Sequence, residues 1–416
     1  MSLGEVLNFD ERLAQYEPNL FYVGLANIES ETGMFIETDE QEPEGTCRIF
    51  KQGDVLYGKL RPYLNKVYVA PKDGQCSTEL YALSAKDQRK LDRSFLSAFL
   101  MSTPFLSQTV HMMTGNTHPR IQREDFEEII IPLPDLETQR ALVAEMESAR
   151  AARQAKLSQA EELLKGIDGF VLDELGLKLP KEEKRSTYAI KLNKVKQGRQ
   201  DALFYLPHYE KLVSALNKCK HPKVSLGEIS PELVGGATPT RGDAELYAED
   251  GIKFLRILNV ATNEIALDNV NFIQDSVHTG ELKRSQLAAN DVLMTITGRV
   301  GTSAVVTEDI LPANINQHIV RMRIQRKDCL PEYLAVYLNT SIGTALSNRG
   351  VTGGTRIALD YEVVRKIQIP IPPIDVQKKI VAELQTRRAQ ARLLRESAER
   401  EWQSAKEKFE NTLLGK

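Results

Sequence analysis

The chain has 416 residues, a formal charge of −3, 42% apolar and 27% charged content, the proportions of a soluble globular protein with two or three domains. No run approaches the roughly 18 apolar residues of a membrane span and no basic-then-apolar leader opens the chain, so a cytoplasmic location is expected. Cys47, Cys76, Cys219 and Cys329 are scattered without a C-x-x-C pair, and the six histidines are equally dispersed, which argues against a disulfide framework or a zinc centre.

In chain order, the first run of β-rich residues is Asp54-Val55-Leu56-Tyr57, bounded by Gly53 and Gly58, and reads as a strand. A helix over residues 94–101 should stop or kink at Pro104. Ile129-Ile130-Ile131-Pro132-Leu133-Pro134 reads as an extended arm, because a residue before proline is pushed toward β or polyproline geometry. Residues 137–175 contain no proline. Leu142, Met146, Ala149, Ala152, Leu157, Ala160, Leu164, Ile167 and Val171 then follow helical spacing, close to a coiled-coil seam. Charged residues from Leu177 to Lys196 read as an exposed linker.

Asp291-Val292-Leu293-Met294-Thr295-Ile296 is a second strand. Ile319-Val320-Arg321-Met322-Arg323-Ile324 alternates apolar and polar, as a half-buried strand would. Pro331 suits the first position of a helix continuing through Tyr333, Leu334, Tyr337 and Leu338. Ile369-Pro370-Ile371-Pro372 is another extended arm. A second long helix follows over residues 376–414, with Ile380, Leu384, Ala391, Leu394, Ala398, Trp402, Ala405, Phe409 and Leu413 on one stripe. Neither helix can bury its stripe alone, so the two are expected to pack together. Residues 376–416 carry ten Lys/Arg against six Asp/Glu, whereas residues 135–175 carry five against nine.

The elements come in pairs. Thr114-Gly115-Asn116-Thr117, the Ile-Pro-Leu-Pro arm, Gln139 and Val143-Ala144-Glu145 recur as Thr352-Gly353-Gly354-Thr355, Ile-Pro-Ile-Pro, Gln377 and Val381-Ala382-Glu383, all offset by 238 residues. Ser2-Leu3-Gly4-Glu5-Val6 recurs as Ser225-Leu226-Gly227-Glu228-Ile229 at 223, so the second copy has 15 more residues in its front. Such a period marks a duplicated domain, since solenoid repeats run about 20–50 residues. The fronts should hold what differs between the copies and the gap-free backs what they share.

Duplicated α/β domains, each followed by a proline-rich arm and a long helix, resemble the specificity subunit of type I restriction–modification systems over essentially the whole chain. The family-like residues are Arg199-x-Asp201 with Tyr205-x-Pro207, Gly235-Gly236-Ala237-Thr238-Pro239, Gly53-Asp54-Val55-Leu56, Asn290-Asp291-Val292-Leu293, Ile-Pro-x-Pro, and Gln139 and Gln377. The resemblance implies an α+β fold of two target-recognition domains separated by two long helices packed as an antiparallel coiled coil, with pseudo-two-fold symmetry. The expected boundaries are 1–134 and 199–372 for the recognition domains, 135–175 and 373–416 for the spacer helices, and 176–198 for the linker. Copy one begins at Ser2 without a counterpart of residues 199–221, so either its first domain is short or this start is trimmed.

The same resemblance implies a non-catalytic subunit that binds an asymmetric, bipartite double-stranded DNA target. It would recruit two adenine-N6 DNA methyltransferase subunits and translocating restriction subunits. S-adenosylmethionine, ATP and Mg are then expected on those partners and none on this chain. Base reading needs side chains that fork onto base edges. The candidates in copy one are Lys59, Arg61, Tyr63, Asn65 and Lys66 after a strand, and Asn116, Thr117, His118 and Arg120. In copy two they are Thr297, Arg299, Asn316, Gln317, Thr355 and Arg356. The glycine-rich turns could hold backbone phosphates through their N–H groups. Gly53 to Lys59 fits a phosphate-binding loop except that Leu60 replaces the Ser or Thr that holds Mg, and the run is strand-rich where a strand-to-helix turn is needed, so nucleotide binding is not expected. Pro372-Pro373 lacks the flanks of a methyltransferase loop, so catalysis is not expected. The rival readings are a duplicated protein-binding adaptor on a coiled-coil spine and an enzyme with an unrecognised site.

Overall fold

The computed structural model describes residues 1–38, 45–179, 187–192, 195, 201–239, 246–352 and 357–415. The fold is mixed α and β and forms two compact units, residues 1–160 with 392–416, and residues 161–391. The boundary between them falls inside both long helices, Leu136–Glu174 and Ile374–Leu413. Among the described residues no helix is long and apolar enough to cross a membrane.

The first unit is built on an antiparallel sheet in the order Leu7–Asp10, Leu80–Ala85, Val55–Gly58, Val67–Val69. Strand alternation sends Val55, Tyr57, Tyr81 and Leu83 to one face, where they share a core with Phe95, Phe99, Phe105 and Phe126 of three helices. Leu56, Leu80 and Ala82 face the other way and pack on Val23, Phe50 and Cys76 of a second sheet. That sheet runs Leu13–Gln15, Thr46–Phe50, Gly74–Cys76, Phe21–Val23, with its last pair parallel. The helices Arg93–Leu100 and Thr103–Val110 are separate. Asp92 caps the first through the N–H groups of Ser94 and Phe95, and Ser102 caps the second with Pro104 in its opening turn, where a missing N–H costs nothing.

The second unit repeats the central sheet strand for strand: Leu233–Gly235, Ile319–Met322, Val292–Thr295, Ser303–Val305. Its second sheet differs in order, running Tyr247–Ala248, Asn271–Ile273, Ile252–Leu255, Ala313–Ile315. In the first unit the strand Gly74–Cys76 is internal; its positional counterpart here, Ala313–Ile315, is at the edge. The alternation of Ile319 to Ile324 suggested a half-buried strand. Instead all of Ile319–Met322 is buried, because Val320 and Met322 face the helical layer and Ile319 faces the second sheet. Arg321 tolerates this position by donating from Nη1 to Gln286 O at 2.7 Å.

Within each unit the long helices pair antiparallel. Early residues of one, Val143 and Met146, share a core with Trp402, Ala405 and Phe409 late in the other. In the second unit Ile167, Phe170 and Val171 join Ile380 and Leu384. Lys408 to Glu145 (2.6 Å) and Lys379 to Glu174 (2.7 Å) follow the same reversed register. Leu177 departs from the exposed linker expected there. Gly176, at φ +64°, turns the chain and Leu177 N–H returns to Leu172 O at 2.8 Å, which buries Leu177 in the core. Residues 180–186, 193–194 and 196–198 of the expected linker, and residues 199–200 of the expected second domain, lie outside the described residues.

A buried glutamine joins each helix to its domain. Gln139 Nε2 donates to Lys90 O and Pro134 O, both at 2.7 Å, and its Oε1 accepts Asp92 N–H at 2.8 Å. Gln377 repeats the set with Asp328 O, Pro372 O and Leu330 N–H at 2.8, 2.8 and 2.9 Å. Every partner is offset by the same 238 residues.

Candidate nucleic-acid interface

In the first unit the two candidate clusters come together. The strand Val55–Gly58 leads into Lys59, whose carbonyl accepts Ile121 N–H at 3.1 Å, while Arg61 N–H donates to Pro119 O at 2.7 Å. These bonds dock the 59–65 loop on the hairpin of Met113–Thr114 and Arg120–Ile121. Asn116, Thr117 and His118 are exposed at the hairpin tip, beside exposed Arg61 and Tyr63 on the loop. Arg61 (φ +51°) and Asn65 (φ +48°) are left-handed and bracket the short turn Pro62–Leu64.

The remaining candidates make contacts within the unit. Asn65 is 2% exposed and donates from Nδ2 to Met101 O at 2.9 Å. Lys66 Nζ is held by Leu25 O and Ile28 O at 2.7 and 2.9 Å, and Lys59 Nζ lies 5.6 Å over the Tyr81 ring. Arg120 forks onto Glu79 with two bonds of 3.0 Å. Those bonds lead the influences on Glu79 and hold its carboxyl below the usual range against the opposing effect of burial. Asn65 is thus turned into the core and Lys66 Nζ is held by two carbonyls, which leaves neither presented at the surface as Arg61 and Tyr63 are.

The second unit repeats this loop-on-hairpin joint. Leu359 N–H donates to Ile296 O at 2.8 Å, and Thr297 and Thr352 each bridge to Ala358, the counterparts of Lys59, Leu60, Thr114, Arg120 and Ile121. Here Gly298 (φ +63°) and Gly301 (φ +92°) bracket Arg299, so glycines take the left-handed positions that Arg61 and Asn65 hold in the first unit. Arg299 and Gln317 are exposed, and Gln317 Oε1 accepts the Thr238 hydroxyl. Asn316 is 7% exposed, with its amide oxygen on His318 N–H at 3.2 Å, and so is also structural. Thr355 and Arg356 lie outside the described residues.

The Gly236 amide is already taken by the sheet and is not offered to a phosphate. Gly236 N–H donates to Ile319 O at 3.1 Å, and a Cβ on Gly236 would come within 2.2 Å of the carbonyls of Ile315 and Asn316. Close packing explains both glycines, since a Cβ on Gly235 would fall on the Tyr361 hydroxyl. Sequence reasoning missed Glu79, whose partner is 41 residues away and which no local motif marks. Among the described residues no group of three or more His, Cys, Asp or Glu could hold a metal ion.

The model of the type I restriction modification DNA specificity domain matches residues 18–159 and again 218–398. The EcoDI specificity subunit of the type I restriction enzyme of Escherichia coli is 30% identical over 133 residues, covering 31% of this chain and 29% of that protein. The Escherichia coli EcoBI specificity subunit is 24% identical over 291 residues, 69% of this chain and 55% of that protein. The matches therefore span less than two thirds of either relative. A solved chain from a type I R-M system, studied for complex assembly and conformational transition, is similar in fold. It has a TM-score of 0.55 at 19% identity, over 99% of this chain and 95% of that one. With two matches that together span most of its length, the chain belongs to the type I restriction modification DNA specificity domain family.

Proposed function

We propose that this protein is the DNA sequence-recognition subunit of a type I restriction–modification complex. It binds an asymmetric bipartite target and catalyses nothing itself. Two adenine-N6 methyltransferase subunits and translocating restriction subunits assemble on it in the cytoplasm, and S-adenosylmethionine, ATP and Mg belong to them. The observation that carries this reading is the repeated joint of loop and hairpin beside two differently ordered second sheets. One joint used twice suits two half-sites, and different surroundings suit two different base sequences. The exposed side chains there, Arg61, Tyr63, Asn116, Thr117 and His118 in one copy and Arg299 and Gln317 in the other, include the forked types that read base edges.

A chain of net charge −3 gains little from phosphate attraction alone, so tight binding is expected with the methyltransferase subunits present. Half-site centres should lie about one to one and a half DNA turns apart. Co-expression with an adenine methyltransferase subunit, followed by genome-wide mapping of methylated adenines, tests the proposal. It predicts a gapped motif with two unlike halves. An ungapped motif, or methylation that does not depend on this chain, would overturn it. A protein-binding adaptor would instead show association that varies little with salt, whereas DNA binding must weaken steeply.

A further inference from the structure

In each unit one turn leaves the second-sheet side of the domain and lands on the long helices. In the first unit it spans residues 28–35, closed by the Ile28–Phe35 bridge. Its Glu29 accepts Arg153 Nη1 at 3.1 Å, and Glu31 lies 3.4 Å from Lys406 Nζ. Gly33, at φ +70°, lies so close to Arg150 that a Cβ there would sit 3.2 Å from Nη2. In the second unit the hairpin of Val260–Ala261 and Glu264–Ile265 does the same. Arg388 Nη1 donates to Asn263 O at 2.6 Å, and Nη2 lies 2.5 Å from Glu264 Oε2.

The two contacts are one device used twice. Arg150 and Arg388 are offset by the repeat's 238 residues. Glu31 and Asn263 are both left-handed, at φ +64° and +59°. Both also donate their N–H to the chain entering the edge strand of the central sheet, Glu31 to Asn65 O at 2.9 Å, two residues before Val67–Val69, and Asn263 to Ser303 O at 3.0 Å, the first residue of Ser303–Val305. A glutamate in that conformation is strained and an asparagine less so, and each is held there by its surroundings. Here the surroundings are the helix arginines on one side and the central sheet on the other.

We infer that these turns are positioning contacts. They fix the angle between each domain's sheets and its own pair of helices, through Arg153 and Lys406 in the first unit and Arg388 in the second. The inference rests on the proposed function, since its consequence is selectivity for spacer length rather than base identity. Loosening the turn leaves the base-reading loop intact and lets it swing, so targets with a spacer one base pair too long or too short become acceptable.

The test uses the full chain with its methyltransferase partner and compares methylation of the preferred target with targets one base pair longer and shorter. Arg388→Met removes the charge-assisted hydrogen bond to Asn263 O and the part-exposed ion pair with Glu264, and should cut the preference by at least about tenfold, while methylation of the preferred target falls less than about threefold. Arg388→Lys, which keeps one donor for Asn263 O, should restore much of it. Without DNA, Arg388→Met should speed amide exchange across residues 260–265 by about tenfold and leave Val292–Thr295 unchanged. Unaltered spacer preference and unaltered exchange would overturn the inference while the functional reading stands. A wild-type complex with no spacer preference would overturn both.

Discussion

Replacing Gln139 with leucine removes a fully buried amide and its three hydrogen bonds of 2.7 to 2.8 Å. Leucine fills most of the space, but Asp92 N–H and the carbonyls of Lys90 and Pro134 lose that partner at a part-buried site. A stranded buried group costs about 1–3 kcal/mol, with carbonyls at the low end because a second lone pair can adapt. The total is about 3–5 kcal/mol. With a urea m-value of about 2–3 kcal/mol/M, the unfolding midpoint of the first unit should fall by about 1–2 M. Trp402 is the chain's single tryptophan and lies in that unit's core, so its fluorescence reports this transition selectively. Gln377→Leu removes the equivalent bonds in the second unit and should move the far-UV circular-dichroism transition instead. A midpoint change under about 0.3 M in the Gln139→Leu fluorescence curve would refute the assignment of Gln139 as the joint between helix and domain.

Arg61→Gly removes an exposed charge and relieves a left-handed backbone at φ +51°. It should stabilise the first unit by up to about 1 kcal/mol while weakening DNA binding at least tenfold, as read by thermal unfolding and fluorescence anisotropy of the assembled complex. The Glu79 carboxyl is depressed by Arg120. Its stabilising contribution is therefore complete above the unfolded value near 4.5 and disappears as pH falls through the lower folded value. Glu79→Gln should flatten the acid limb of the stability curve below about pH 4.5. Burial pushes the thiols of Cys76 and Cys329 up to about 12, so at pH 8 neither should react with an aromatic disulfide reagent until urea unfolds the chain.

The duplication was legible because the backs of the two copies align without a gap, and that alignment carries the long helices, the arms and both glutamines. The stripe from Ile380 to Phe409 identified the buried side of its helix, Trp402 included, since one helical face against one partner leaves a simple period. The fronts were less readable. Alternation at Ile319 to Ile324 implied one wet face, but a sheet covered on both sides buries Ile319 to Met322, even Arg321. Asn65 and Asn316 looked like base readers because their side-chain chemistry fits that task. Both are buried instead: Asn65 Nδ2 donates to Met101 O, 36 residues away, and Asn316 Oδ1 accepts His318 N–H in a local turn. The Glu79–Arg120 pair is invisible locally, as the Asn65 bond is. The order of the second sheet follows from tertiary pairing that strand propensity does not encode.

The most direct test of a measured distance between half-sites is a matched four-residue insertion in both long helices, keeping their antiparallel register. Four residues add about 6 Å at 1.5 Å each, against 3.4 Å per base pair of DNA. The methylated motif of the variant should keep both half-site sequences and widen its spacer by one or two base pairs. An active variant that methylates the original motif with its spacer unchanged would contradict the account.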